Sequence, residues 1–430
     1  MGTDEQTHLS VFINKSILFE DGSYSEFLEG RQSENAKLRY EKIQETLKAG
    51  FLDHMIEQLA CSGFSREIPA ADRMLLDRMA EGITSNYGRS LVAVAVMQLA
   101  IKVICPEQCI RLHKGSNQAN SFSWVEGISM RNIDKTHITP FLRRYGLLRL
   151  NADGAMMTRG LAENYPYSDV YKAQLRGPRK TWLELVSRLE SRNTDPRVAL
   201  EYVLSVLQNK SDEFKNSCEI AMGALGAAKG VTLPKVVRAV KVFLSNTTFP
   251  ARAFEIALHS FMQALFDLEY ADGYLEPLSQ MRSANKKHGN VGDIELKDGC
   301  EIRESWDAKY QKFYLGDELN ELGDKLETAS RVAIAGFVTD EQPDIRNDIV
   351  NRIKEIEDEF DTEIKILSLH EWVEYQVSVN HVSNRDILAS AWLTALVESL
   401  CQRRGERAPI DEPCDTWVDS ITTTMRRSFK

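Results

Sequence analysis

The sequence predicts a mixed α/β (α+β) fold, with a mainly helical N-terminal half followed by a C-terminal part in which a mixed sheet is flanked by helices. Three observations carry this expectation. Apolar residues recur at helical spacing from Ala36 to Cys61 and run almost unbroken from Ser90 to Ile104. From Ala251 onward, helical segments alternate with short apolar runs, the pattern of a sheet covered by helices. Two strand-like runs flank Asp298-Gly299, a dipeptide suited to a tight hairpin turn.

The chain of 430 residues is long enough for several domains. The patterning divides it into a helical region (1–120), a candidate winged-helix module (121–177), a helical linker (178–248) and a sheet-bearing domain (249–430). No apolar run approaches the length of a membrane span, and the N-terminus lacks the basic and apolar regions of a signal peptide. The seven cysteines include no C-x-x-C pair, which suits reduced thiols in a cytoplasmic protein. Cys105, Cys109 and nearby His113 lack a fourth ligand and make a poor zinc site. A net charge of −10 argues at first against a nucleic-acid partner, but binding depends on local basic surface. Such clusters exist: Arg282, Lys286, Lys287 and His288 in one acid-free segment, and Lys172, Arg176, Arg179 and Lys180 in another. The acids of Lys354 to Glu363 read as a solvated helix face.

In chain order, Ala36 to Cys61 reads as a helix stopped by Gly63, and Ser90 to Ile104 as a buried helix. Ser129 to Asp134 and Thr136 to Tyr145 read as two short helices. Leu147 to Leu150 and Ala155 to Arg159 read as a hairpin around Asn151-Ala-Asp-Gly154. Two helices and a hairpin are the parts of a winged helix, whose second helix enters the major groove while Lys135, Arg143, Arg144, Arg149 and Arg159 meet phosphates. The same parts also make a packing or protein-interaction unit. Pro178 to Gly230 is helical again, and Gly223 to Gly230 lacks the Gly-Lys-Ser/Thr ending of a phosphate loop.

The C-terminal order is most definite. A helix from Ala251 to Tyr270 precedes a strand from Tyr274 to Met281 and the two strands of Val291 to Tyr310. A helix from Asp317 to Ser330, a buried strand from Arg331 to Val338, a helix from Ile345 to Phe360 and a strand from Glu363 to Leu369 follow, and a helix from Ser383 to Arg404 closes the domain. Asp293 lies on the first strand of the pair, and Asp307 and Lys309 on the second. Alternation along a strand points Asp307 and Lys309 the same way, while Trp306 and Tyr310 face the core. Two carboxylates and an ammonium at adjacent strand ends can hold a divalent metal beside a phosphate. The acid-x-lysine triplet alone is uninformative, since Glu213-Phe-Lys215, Glu295-Leu-Lys297 and Glu363-Ile-Lys365 repeat it. Glu295, on the face of Asp293, is either an extra ligand or half of a structural ion pair. His259, alone on a helix, reads as structural.

In that setting Pro250 to Leu369 resembles the PD-(D/E)xK nuclease superfamily, to which many type II restriction endonucleases belong. The resemblance implies a restriction-endonuclease-like core of helix, three strands, helix and strand. It places Asp293 as the first acid, Asp307 as the second and Lys309 as the lysine, with Gly292 where the family carries a proline. Glu255 takes the place of the glutamate many members carry in the opening helix, making Asp293, Asp307 and Glu255 the ligands of Mg²⁺. Arg282, Lys286, Lys287 and His288 would lie along the cleft against the DNA backbone. The implied activity is sequence-specific, Mg²⁺-dependent cleavage of double-stranded DNA by a homodimer, paired in function with a DNA methyltransferase. A DNA-binding or regulatory protein built on an inactive nuclease fold, and a repair or transposition nuclease, stay open; the intact trio counts against the first.

Overall fold

The chain divides into two units, Met1–Glu213 and Phe214–Lys430. The computed structural model describes residues 7–20, 22–84, 86–118, 121–157, 159–279, 290–410, 412 and 414–430.

The first unit opens with an antiparallel sheet where only helix was expected: β1 (His8–Val11), β2 (Lys15–Glu20) and β3 (Ser23–Leu28), in the order β1-β2-β3. Along β2, Ser16 and Leu18 are buried, the period-2 signature of a strand. The β2–β3 ladder runs from Lys15 opposite Leu28 to Glu20 opposite Ser23, so the two strands form an antiparallel hairpin. Two helices, α1 (Glu34–Lys48) and α2 (Phe51–Ser62), replace the single helix expected over Ala36 to Cys61. Gly50 separates them with φ +88°, a left-handed conformation that ends a helix without steric cost only at glycine. After α3 (Ala70–Glu81) comes α4 (Asn86–Ile104), in which every residue from Leu91 to Ile101 is at most 2% exposed. Its one amide in that run, Gln98, is satisfied: it donates to Ile110 O (3.2 Å) and accepts from Trp182 Nε1 (2.8 Å).

The stretch expected to form a winged helix folds differently. α5 (Met130–Ile133), a π turn (Asp134–Ile138) and α6 (Thr139–Arg144) run on as one irregular helix. The hairpin positions carry 3₁₀ turns at Ala155–Met157 and Arg159–Ala162. Two causes are visible. Buried Asp134 accepts from Thr139 Oγ1 (2.7 Å) and from Met156 N (2.8 Å), pinning the loop to the helix. Leu147, Leu148 and Leu150 are all buried, while side chains of Arg89 and Arg143 satisfy the carbonyls of Arg149 and Leu150. Such a run neither alternates nor needs a partner strand.

The stretch 178–248 is helical as α7 (Arg179–Glu190), α8 (Pro196–Gly226) and α9 (Leu233–Ser245), and the boundary between units falls within α8. The second unit continues with α10 (Pro250–Asp267), β4 (Tyr274–Leu275), β5 (Ile294–Asp298), β6 (Glu301–Lys309), α11 (Gly316–Leu326) and β7 (Val332–Thr339). α12 (Asn347–Phe360), β8 (Glu363–Ser368), α13 (Leu369–Val379), α14 (Arg385–Leu400) and α15 (Asp415–Ser428) complete it. The five strands form one mixed sheet in the order β4-β5-β6-β7-β8, antiparallel as far as β6 and parallel from β6 to β8. Helices flank it. Phe337 and Ala335 pack with Leu319, Leu322 and Ile349 of α11 and α12. Ile294, Leu296, Trp306 and Val338 pack with α10, α13 and α14, where Trp306 meets Trp372 (6.2 Å between centroids). α13 begins with a capping box at Ser368 and Glu371. Among the described residues no helix is long and apolar enough to cross a membrane.

Candidate active site

The site grows from the junction of β5 and β6. Gly292 precedes the first acid, and a Cβ there would lie 2.6 Å from Ser305 Oγ and 2.9 Å from Trp306 O. Its N–H also faces Glu295 Oε1 at 3.4 Å. The strand partner thus leaves room for glycine alone, which accounts for the absence of the proline that the resemblance implies. Glu295, 1% exposed, accepts from Val291 N (2.6 Å) and pairs with Lys297 (3.3 Å). It clamps the entry to β5 from within the protein, the structural role weighed for it above.

Asp293 and Asp307 meet across the strand pair through reciprocal backbone contacts. The Asp293 N–H is shared between Trp306 O (3.0 Å) and Asp307 Oδ1 (3.1 Å), and the Ala308 N–H donates to Asp293 Oδ2 (3.1 Å). Each carboxylate is therefore fixed by the other residue's strand. Lys309, on the same side of β6 as Asp307, brings its ammonium to 3.2 Å from Asp307 Oδ2. It also lies over the Phe337 ring, 5.6 Å from the centroid.

Two residues that the sequence did not single out reach the same point from α11. Glu318 Oε2 lies 2.6 Å from Lys309 Nζ, and Lys325 Nζ lies 3.5 Å from Asp307 Oδ2. Their separation of seven residues puts both on one helix face, a signal that means little until the helix is known to cover this end of the sheet. Glu255 sits on α10, with its carboxylate bonded to Arg252 Nη1. Arg252 is 3% exposed and also donates to Ser279 O (2.9 Å) and Pro409 O (3.0 Å), with Glu412 3.8 Å from its Nε.

Electrostatics follow from this crowding. Burial, then the charges of Asp307 and Glu255, push the Asp293 carboxyl well above the usual range. Burial also raises Glu255, against the pull of Arg252. Burial opposes the charge on Lys309, but Asp307 and Glu318 outweigh it and hold the ammonium protonated above its ordinary range. Hydrogen bonds from Lys309 and Lys312 bring Glu318 below its usual value despite burial.

Two half-buried or buried aspartates whose charges oppose one another are hard oxygen donors suited to a divalent cation such as Mg²⁺. Among the described residues no three His, Cys, Asp or Glu side chains gather closely enough to enclose an ion. The share of a coordination shell offered here is thus the Asp293–Asp307 pair, with Glu255 on the facing helix engaged by Arg252. His259, 1% exposed, is bonded to Glu276 O (2.9 Å) and Gln263 (2.8 Å) and is structural.

The expected DNA contacts divide. Arg282, Lys286, Lys287 and His288 lie outside the described residues. Arg143 and Arg144, expected on a groove-entering helix, are engaged within the first unit: Arg143 with Leu150 O and Arg144 with Asp53. Lys135 likewise lies 3.8 Å from Asp153. Comparison with protein-family models and with curated proteins finds no match to this chain.

Proposed function

We propose that the second unit is a Mg²⁺-dependent nuclease that hydrolyses phosphodiester bonds of DNA. The observation that carries this reading is the reciprocal fixing of Asp293 and Asp307 across β5 and β6, with the Lys309 ammonium 3.2 Å from Asp307. Asp293 and Asp307 would hold the metal, and Glu255 would face it from α10. A bound Mg²⁺ supplies an activated water and neutralises charge on the phosphoryl oxygens. Lys309, kept charged by its acidic neighbours, serves as a fixed positive group where negative charge builds on phosphorus. Lys325 adds a second positive charge beside Asp307.

Sequence-specific cutting in the manner of type II restriction enzymes, by a homodimer paired with a methyltransferase, rests on the resemblance alone. The winged helix that would have read the groove is replaced by an irregular helix and 3₁₀ turns. The test is to incubate the full-length protein with mixed-sequence duplex DNA and Mg²⁺. Cleavage that disappears in Lys309→Ala, with duplex binding retained, is the expected result, and discrete fragments would identify the sequence-specific form. Binding without cleavage across many sequences and metals would leave a DNA-binding protein on an inactive nuclease fold.

A further inference from the structure

Charges alternate along the α11 side of the site. Lys325 lies 3.5 Å from Asp307, Asp307 3.2 Å from Lys309, and Lys309 2.6 Å from Glu318, whose other carboxylate oxygen is bonded to Lys312. Lys309 thus touches two carboxylates, and the contact to Glu318 is the shorter. Glu318 is itself well fixed: both its oxygens are engaged, its side chain is 13% exposed, and its neighbour Leu319 is buried in the core beneath β7. The two anchors of Lys309 differ in one respect that matters for catalysis. Asp307 is committed to the metal in the proposed reaction, so its hold on the ammonium weakens when the site is loaded. Glu318 belongs to α11 and has no such competing duty.

We propose that Glu318 is a positioning residue of the site, holding the Lys309 ammonium by a contact independent of Asp307 so that the lysine stays in place when Asp307 takes up the metal. The role for a phosphate rests on the nuclease reading above; the holding contact is a property of the chain itself.

Full-length protein labelled with ¹⁵N-lysine separates the two. The Lys309 ammonium resonance, assigned by its loss in Lys309→Ala, is expected to be shifted and slowly exchanging in the wild type, with and without Mg²⁺. In Glu318→Gln, which keeps the shape and removes the charge, it should move towards the position of free lysine while the Lys325 resonance stays. In parallel, the single-turnover rate of duplex cleavage should fall about a hundredfold, the scale set by misplacing a catalytic group by about 1 Å, with duplex affinity unchanged. An exchange-averaged Lys309 resonance in the wild type would overturn the proposal. So would an unmoved resonance in Glu318→Gln, or a moved one with an unchanged rate. If the wild type does not cut DNA at all, a resonance that moves in Glu318→Gln would uphold the holding contact and discard the nuclease reading.

Discussion

At the residue scale, the two aspartates are held where their charges oppose one another. Asp293 carries the burden, since burial and its neighbours Asp307 and Glu255 disfavour its charged form. Removing that charge should therefore stabilise the metal-free protein. In the presence of a chelator at neutral pH, Asp293→Asn is expected to melt about 2–4 °C above wild type, the shift of roughly 1 kcal/mol in a domain of this size. Mg²⁺ should raise the wild-type melting temperature and leave that of Asp293→Asn unchanged; a variant that melts lower and still responds to Mg²⁺ would contradict the pair as the metal's seat. Gly292 gives a steric prediction. With Ser305 Oγ 2.6 Å from its would-be Cβ, Gly292→Pro, which installs the proline that the nuclease resemblance implies, should lower both stability and activity, as thermal melting and cleavage assays would show. His259 supplies a pH dependence. Burial holds its pKa down to about 4 from the ordinary 6.5, so it folds neutral. Its contribution is complete above pH 6.5 and is lost as pH falls towards 4, amounting to about 3 kcal/mol. Urea titrations between pH 7 and 4.5 should show a slope that flattens in His259→Gln; parallel curves for the two proteins would refute the assignment.

At the element scale, what could be read in advance depended on whether a segment's apolar pattern was local. The order from α10 through β5, β6, α11, β7, α12 and β8 was legible because helix-spaced segments alternate with short apolar runs, and Asp298-Gly299 marks the turn between β5 and β6. The placing of Asp293 beside Asp307 followed from that hairpin. Glu318 and Lys325 were not legible, because their meaning comes from the long-range packing of α11 on β6 and β7. The segment of the N-terminal sheet was expected to be helical, although Asp21-Gly22 is a dipeptide that suits a hairpin. The winged-helix expectation failed for a physical reason already visible in Asp134, whose buried carboxylate draws the 151–157 loop onto its helix. Asp134→Ala should accordingly cost about 1–3 kcal/mol in denaturant titrations, the penalty for leaving its buried donors unpaired. A change below about 0.5 kcal/mol, the scatter of ordinary surface substitutions, would mean that the loop is held by its leucines alone.

At the scale of the whole molecule, a net charge of −10 requires that any contact with DNA be made by a local basic surface. Lys309 and Lys325 contact Asp307, and Lys312 joins them through Glu318, so that each of the three is already paired with an acid. Such pairing offsets the lysines' charge within the site; under the proposed nuclease reading, a metal taking up Asp307 would leave Lys309, still held by Glu318, and Lys325 to face the phosphate. Asp293, Asp307 and Lys309 are proposed to act as one hydrolytic unit. The most direct test of that proposal is the single-turnover rate of duplex DNA cleavage in Mg²⁺, compared among wild type, Asp293→Asn, Asp307→Asn and Lys309→Ala at saturating protein. Each substitution is expected to lower the rate by at least about 10²–10³-fold while leaving duplex affinity within about threefold, since each removes a group that acts on the transition state. A variant at any of the three positions that cuts at the wild-type rate, or a wild-type protein that does not cut at all, would contradict it.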